Sequence, residues 1–111
     1  KTFDVNSDEY RLAKLLFEYI QKKDPTANKP NFQEWSRIFN DLIEEKGRTP
    51  KQIKEIIDWA QNSTFWFPHT TTPAKIKAKF GTLVLQKLAE ERKKTSKQVE
   101  VIDDLAGFKR Y

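Results

Sequence analysis

The chain has 111 residues, with 21 lysines and arginines against 16 aspartates and glutamates, one histidine and no cysteine or methionine. That length supports one domain with a single modest core, and the missing cysteines remove disulfides, thiol chemistry and any ordinary His/Cys zinc site. No apolar run approaches the roughly 18 residues needed to cross a bilayer and no signal-peptide core is visible, so a cytoplasmic protein with no membrane partner is expected. A chain that starts at Lys1 and lacks methionine is expected to be a piece of a longer protein.

Four helices are predicted in chain order. Asn6 and Glu9 have the spacing of a capping box, followed by Leu12, Leu15, Leu16, Tyr19 and Ile20 at helical period. Tyr10, Ala13 and Phe17 form a second stripe, so this helix should pack on two sides before Asp24 and Pro25 end it. A second helix opens at Asn31 with Glu34 three residues on, carries Trp35, Ile38, Phe39, Leu42 and Ile43, and stops at Gly47. The third starts with Thr49, Pro50 and Gln52 and lines its buried side with Ile53, Ile56, Ile57 and Ala60. The fourth repeats that opening at Thr72 and Pro73 and carries Ile76, Phe80, Leu83 and Val84. No stretch alternates as a strand would. The expected fold is an all-α compact bundle of about four helices, with a core that includes Leu12, Leu16, Tyr19, Trp35, Phe39, Ile53, Ile57, Ile76, Phe80 and Leu83. From Thr95 the pattern changes and no strong cap is visible, which divides the chain into a helical domain over 1–94 and a tail over 95–111. In that tail Val101, Ile102, Leu105 and Phe108 can gather on one side of a helical turn. They either dock on the body or form a motif that binds a partner.

The residue types exclude most catalysis. His69 is the only histidine and stands in a threonine-rich loop, with no glycine elbow near any serine. Gly47, Gly81 and Gly107 are scattered, so there is no phosphate-cradling loop. The carboxylate pairs Glu44–Glu45 and Asp103–Asp104 have no second acidic cluster at usable spacing and read as solvated helix ends. A binding module that is not an enzyme, with no cofactor and no metal, is expected.

Charge is unevenly placed. Residues 1–71 hold eleven basic and eleven acidic side chains, whereas residues 72–97 hold eight basic against Glu90 and Glu91. A phosphate-facing element needs such a segment; a solvated helix with a lysine-rich end would also produce it. The stretch STFWFPHTTTPAKIKAKF sets three aromatics beside these lysines. Phe65 and Phe67 can fold back to close the core, leaving Trp66 as the ring to place outside. A 100° step puts Lys75, Lys79, Thr82, Gln86 and Lys93 on one stripe of the fourth helix. Lysines, a helix N-terminus and a ring could together hold phosphate and base. The candidate DNA contacts are Lys75, Lys77, Lys79, Lys93, Lys94 and Trp66.

The runs IIDWAQNSTFW and TTPAKIKAKFGTLVLQ resemble the C-terminal module of phage-type replication proteins, the replisome organisers related to bacterial DnaD. Ile76 and Phe80 match the Ile-x-x-x-Trp spacing of that family with Phe for Trp, and Phe65–Trp66 resemble its aromatic pair, although the Thr-Pro loop here is longer. The resemblance implies a helical domain that binds single-stranded or structured DNA in a bacterial host cell and helps bring the replicative helicase or its loader to an origin; an oligomer is compatible with it. Two other readings stay open: a protein-binding scaffold whose lysines only solubilise, and a helix-turn-helix reader, for which the link over 62–71 is long.

Overall fold

The computed structural model describes residues 2–103, with side chains as far as Lys93. Four helices, α1 (Asp8–Lys23), α2 (Phe32–Lys46), α3 (Pro50–Gln61) and α4 (Pro73–Asp103), and one 3-10 turn at Phe67–His69 make up its regular structure, with no strand among the described residues. The described residues fall into two compact units, one up to Phe80 and one from Gly81 on. The first holds α1 to α3, the 3-10 turn and the first two turns of α4; the second holds the rest of α4.

Each helix of the first unit begins where a side chain can satisfy its free N–H groups. Asn31 accepts from the amides of Gln33 and Glu34 at 3.0 and 3.2 Å. Thr49 accepts from Gln52 at 3.1 Å and Thr72 from Lys75 at 3.2 Å, each with proline at the first helical position. The start of α1 differs from the expected box at Asn6. Its cap is Ser7, which accepts from Tyr10, while the Asn6 amide donates to Asp4. The Asp4 carboxylate therefore competes for Asn6 and moves the start one residue on. Gly47 ends α2 with φ of 66°, a left-handed conformation that favours glycine.

In the first unit α1 packs on both α2 and α3, as its two stripes predict. Phe32 is the centre of the α1–α2 seam, with Tyr10 and Phe17 each 5.7 Å away and Trp35 at 6.5 Å between ring centroids. Leu12, Leu16, Phe39, Ile53, Ile57, Ile76, Phe80 and Leu83 are buried as expected. Tyr19 and Trp35 are not fully buried. The Tyr19 hydroxyl explains its place, since it donates to Asp58 at 2.6 Å and so stays near polar surroundings. Phe3 is an unexpected core residue, its backbone held in both directions by the Gln33 amide at 2.7 and 2.9 Å.

α4 is longer than the fourth helix read from the sequence, for it continues through Thr95 to Asp103. Leu85 and Leu88 are exposed on it. Among the described residues no helix is long and apolar enough to cross a membrane.

Candidate nucleic-acid interface

The link between α3 and α4 is built by one buried amide. Gln61, 2% exposed, donates through Nε2 to the carbonyls of Phe67 and Thr70 at 3.3 and 3.1 Å and to the Thr70 hydroxyl at 2.9 Å. Thr70 is fully buried, and its hydroxyl donates to the Trp66 carbonyl at 3.0 Å. Ser63 starts the turn, accepting from Trp66 through its hydroxyl and from Phe67 through its carbonyl. These bonds satisfy backbone groups that no helix reaches and fix a turn, 62–69, in which no apolar side chain is fully buried.

This scaffold sets the rings in an order that local spacing does not dictate. Phe65, expected in the core, is 64% exposed, whereas Trp66 is half-buried, as is Phe67. The reason is the tight turn that Gln61 and Ser63 impose, which reverses the alternation of a free loop. Phe65 lies edge-on to Trp66 at 4.8 Å, and His69 joins them at 5.5 Å from Phe65 and 6.0 Å from Trp66. His69, a bare loop residue by sequence, is the third ring of a surface cluster.

The predicted lysines part company here. Lys75 is exposed and its Nζ donates to Thr71 Oγ1 at 3.4 Å, a local bond across the start of α4. Lys79 is exposed and in no ion pair among the described residues. Lys77 points elsewhere: its ammonium lies 3.5 Å from both Asp41 and Glu45 of α2. Two carboxylates thus face its charge. Lys93 is exposed in the second unit. Lys94, Val101, Ile102, Leu105 and Phe108 lie outside the residues whose side chains are described.

Two cations that sequence reasoning left out stand over rings near this link, and one of them, Lys23, meets the aromatic segment itself. Lys23 Nζ lies 5.2 Å from the Phe67 ring and 5.6 Å from the Tyr19 ring, and Lys22 lies 5.9 Å from Tyr19. Locally they are only lysines in the last turn of a helix, which its dipole explains; the tertiary fold alone brings them to the loop. Burial, then the hydrogen bond to the Asp58 carboxylate, raises the Tyr19 phenol above its ordinary pKa. Ile76 and Phe80 are buried, the latter under the Arg48 guanidinium 5.0 Å from its ring. The pattern that the DnaD resemblance matches is therefore core here.

An all-α module that presents lysines beside an aromatic surface cluster is the class that this fold and site define. The chain matches the phage replication protein O C-terminal domain over residues 11–99, and it belongs to that family. It is 26% identical over 81 residues to "Replication protein O" of Escherichia phage lambda, covering 73% of this chain and 24% of that protein. It is 21% identical over 84 residues to "Replication protein 15" of Enterobacteria phage phi80, covering 76% of this chain and 28% of that protein. The chain thus spans about a quarter of the length of these curated relatives. No solved structure matches it.

Proposed function

We propose that this chain is a non-catalytic accessory module of phage replication initiation. It binds DNA without strong sequence preference and helps recruit the replicative helicase or its loader in the host cytoplasm. The observation that carries the DNA part is the exposure of Lys75 and Lys79 on the first turns of α4 together with that of Phe65 in the ring cluster of the link that leads into this helix. Phosphates would meet the lysines, and a base would stack on Phe65 or Trp66. Family membership supports the replication setting, and the likeness to DnaD-type organisers supports helicase loading as the outcome. Because Ile76 and Phe80 are buried, DNA contact in this reading rests on the lysines and the loop rings.

A protein-binding scaffold without direct DNA contact is the second reading, favoured by the ion pairs that engage Lys77. A salt series on binding to a labelled single strand separates the two. Under the first reading affinity falls steeply with salt, with a log–log slope of about −0.7 for each phosphate neutralised. Replacing Lys75 and Lys79 with glutamate then abolishes binding while helicity is unchanged. The absence of salt-sensitive binding in the unmodified chain would favour the scaffold.

A further inference from the structure

A groove of about 530 Å³ lies between α1 and the start of α3, within the roughly 300–1,000 Å³ of occupied ligand clefts. Leu12 and Leu15 of α1 and Pro50 of α3 give it an apolar lining. Arg11, Lys14 and Lys51 stand around it, exposed and in no ion pair among the described residues. Lys54 is there too, with its charge shared with Asp58 at 2.8 Å. The first turn of α3 has no acidic side chain, so the positive end of its dipole adds to the lysines instead of offsetting them.

Charge and shape together select the occupant. The groove wants negative charge at its edges and apolar side chains inside it. Two carboxylates, Asp8 and Glu18, also line it; ten residues apart on one helix, they stand about 15 Å from each other along its axis. A nucleic-acid strand, with a phosphate about every 3.4 Å of duplex axis, cannot leave uncharged the positions that meet both carboxylates, as a helix can by its choice of side chains, and it has no aliphatic side chains to fill the lining. A helix with leucines on one face and carboxylates beside them can seat the leucines and set its acids on Arg11, Lys14 and Lys51.

We propose that the α1–α3 groove docks an acidic amphipathic helix of a protein partner. This site shares no residue with the DNA surface proposed above and can fail or stand separately from it. The test uses the whole 111-residue chain and a fluorescein-labelled peptide of about 16 residues, near the length at which a helix becomes marginal alone. Its leucines are at i, i+3, i+4 and i+7 with glutamate beside them and glutamine towards both ends, where Asp8 and Glu18 stand, and a control peptide carries lysine in place of glutamate. The glutamate peptide is expected to bind by fluorescence anisotropy and the lysine peptide not to. The double variant Lys14→Glu, Lys51→Glu weakens binding at least about tenfold through like-charge contacts, at unchanged melting temperature and unchanged affinity for single-stranded DNA. Amide shifts in the isotope-labelled, unmodified chain, expected around Leu15 and Lys51 on titration with the glutamate peptide, read the same contact without a variant. The proposal is overturned if neither peptide binds, if both bind alike, if the shifts fall away from α1 and α3, or if the double variant loses a single-stranded oligonucleotide by the same factor, which would make the groove a nucleic-acid surface.

Discussion

Helices α3 and α4 open on one pattern, threonine, proline, two variable residues, isoleucine and lysine, at 49–54 and again at 72–77. The parallel extends into three dimensions. Each threonine caps its helix, Ile53 and Ile76 are both fully buried, and Lys54 and Lys77 both pair with carboxylates. The outcomes then diverge. α3 stops after 12 residues, where Asn62 folds its amide back to the Asp58 carbonyl at 2.7 Å and Gln61 grips the following segment. α4 meets no such stop, passes through Gly81 and runs for 31 residues. A start signal therefore sets where a helix begins and which residue faces inward, and its length is decided by what the later residues bond to. The two lysines differ in the same way. Lys54 pairs within its own helix, while Lys77 reaches α2.

The comparison breaks most visibly at its isoleucines. Ile53→Ala and Ile76→Ala should each cost about 2–5 kcal/mol, as buried truncations do, measured by urea unfolding. If one were nearly neutral, the shared opening would conceal unlike packing. Gln61→Ala comes next, at about 1–3 kcal/mol, because the buried carbonyls of Phe67 and Thr70 lose their donor. Its counterpart twelve residues after Thr72 is Val84, which has no amide to offer. A melting curve and Trp66 emission check the change, and an unaltered emission would mean that the loop holds its shape without the clip.

The caps should give a smaller and matched loss. Thr49→Ala and Thr72→Ala are each expected to cost about 1 kcal/mol, read as a shift in denaturation midpoint. An effect at Thr49 alone would show that α4 is held by its packing and not by its start. The smallest effect depends on pH. Tyr19 is bonded to Asp58 of α3 and its pKa is raised in the fold, so its stabilising contribution is fully present below the unfolded value of about 10 and fades as pH rises through the folded value. Tyr19→Phe should flatten that alkaline decline in stability. A decline of the same steepness in the variant would assign it to other groups.

The helices were legible because caps and apolar period are local. Asn31, Thr49, Thr72 and Gly47 all sit at the ends that their chemistry dictates. Asn6 misleads because Ser7 beside it is an equally good cap and Asp4 decides between them. Exposed Lys75 and Lys79 were legible in the stripe read along α4, while the turn of Lys77 towards α2, the approach of Lys23 and the order of the rings were not. Lys77 stands about 200° around a helix from Lys75 at 100° per residue, and that spacing separates their faces. For Phe65 and Trp66 no period applies, because the Gln61 amide orients them across the turn. The α1–α3 groove joins residues as much as 46 positions apart, from Asp8 to Lys54, and no local spacing announces it.

The grip of Gln33 on Phe3 has a mechanical meaning. A pull along the chain from Thr2 meets two hydrogen bonds between the Phe3 backbone and the Gln33 side chain, at 2.7 and 2.9 Å, and a buried ring before it reaches α1. The load passes across to the first turn of α2, where Asn31 and Phe32 are themselves anchored. Tension would therefore be carried by a clasp that must rupture as a unit, and α1 is shielded from being peeled away turn by turn.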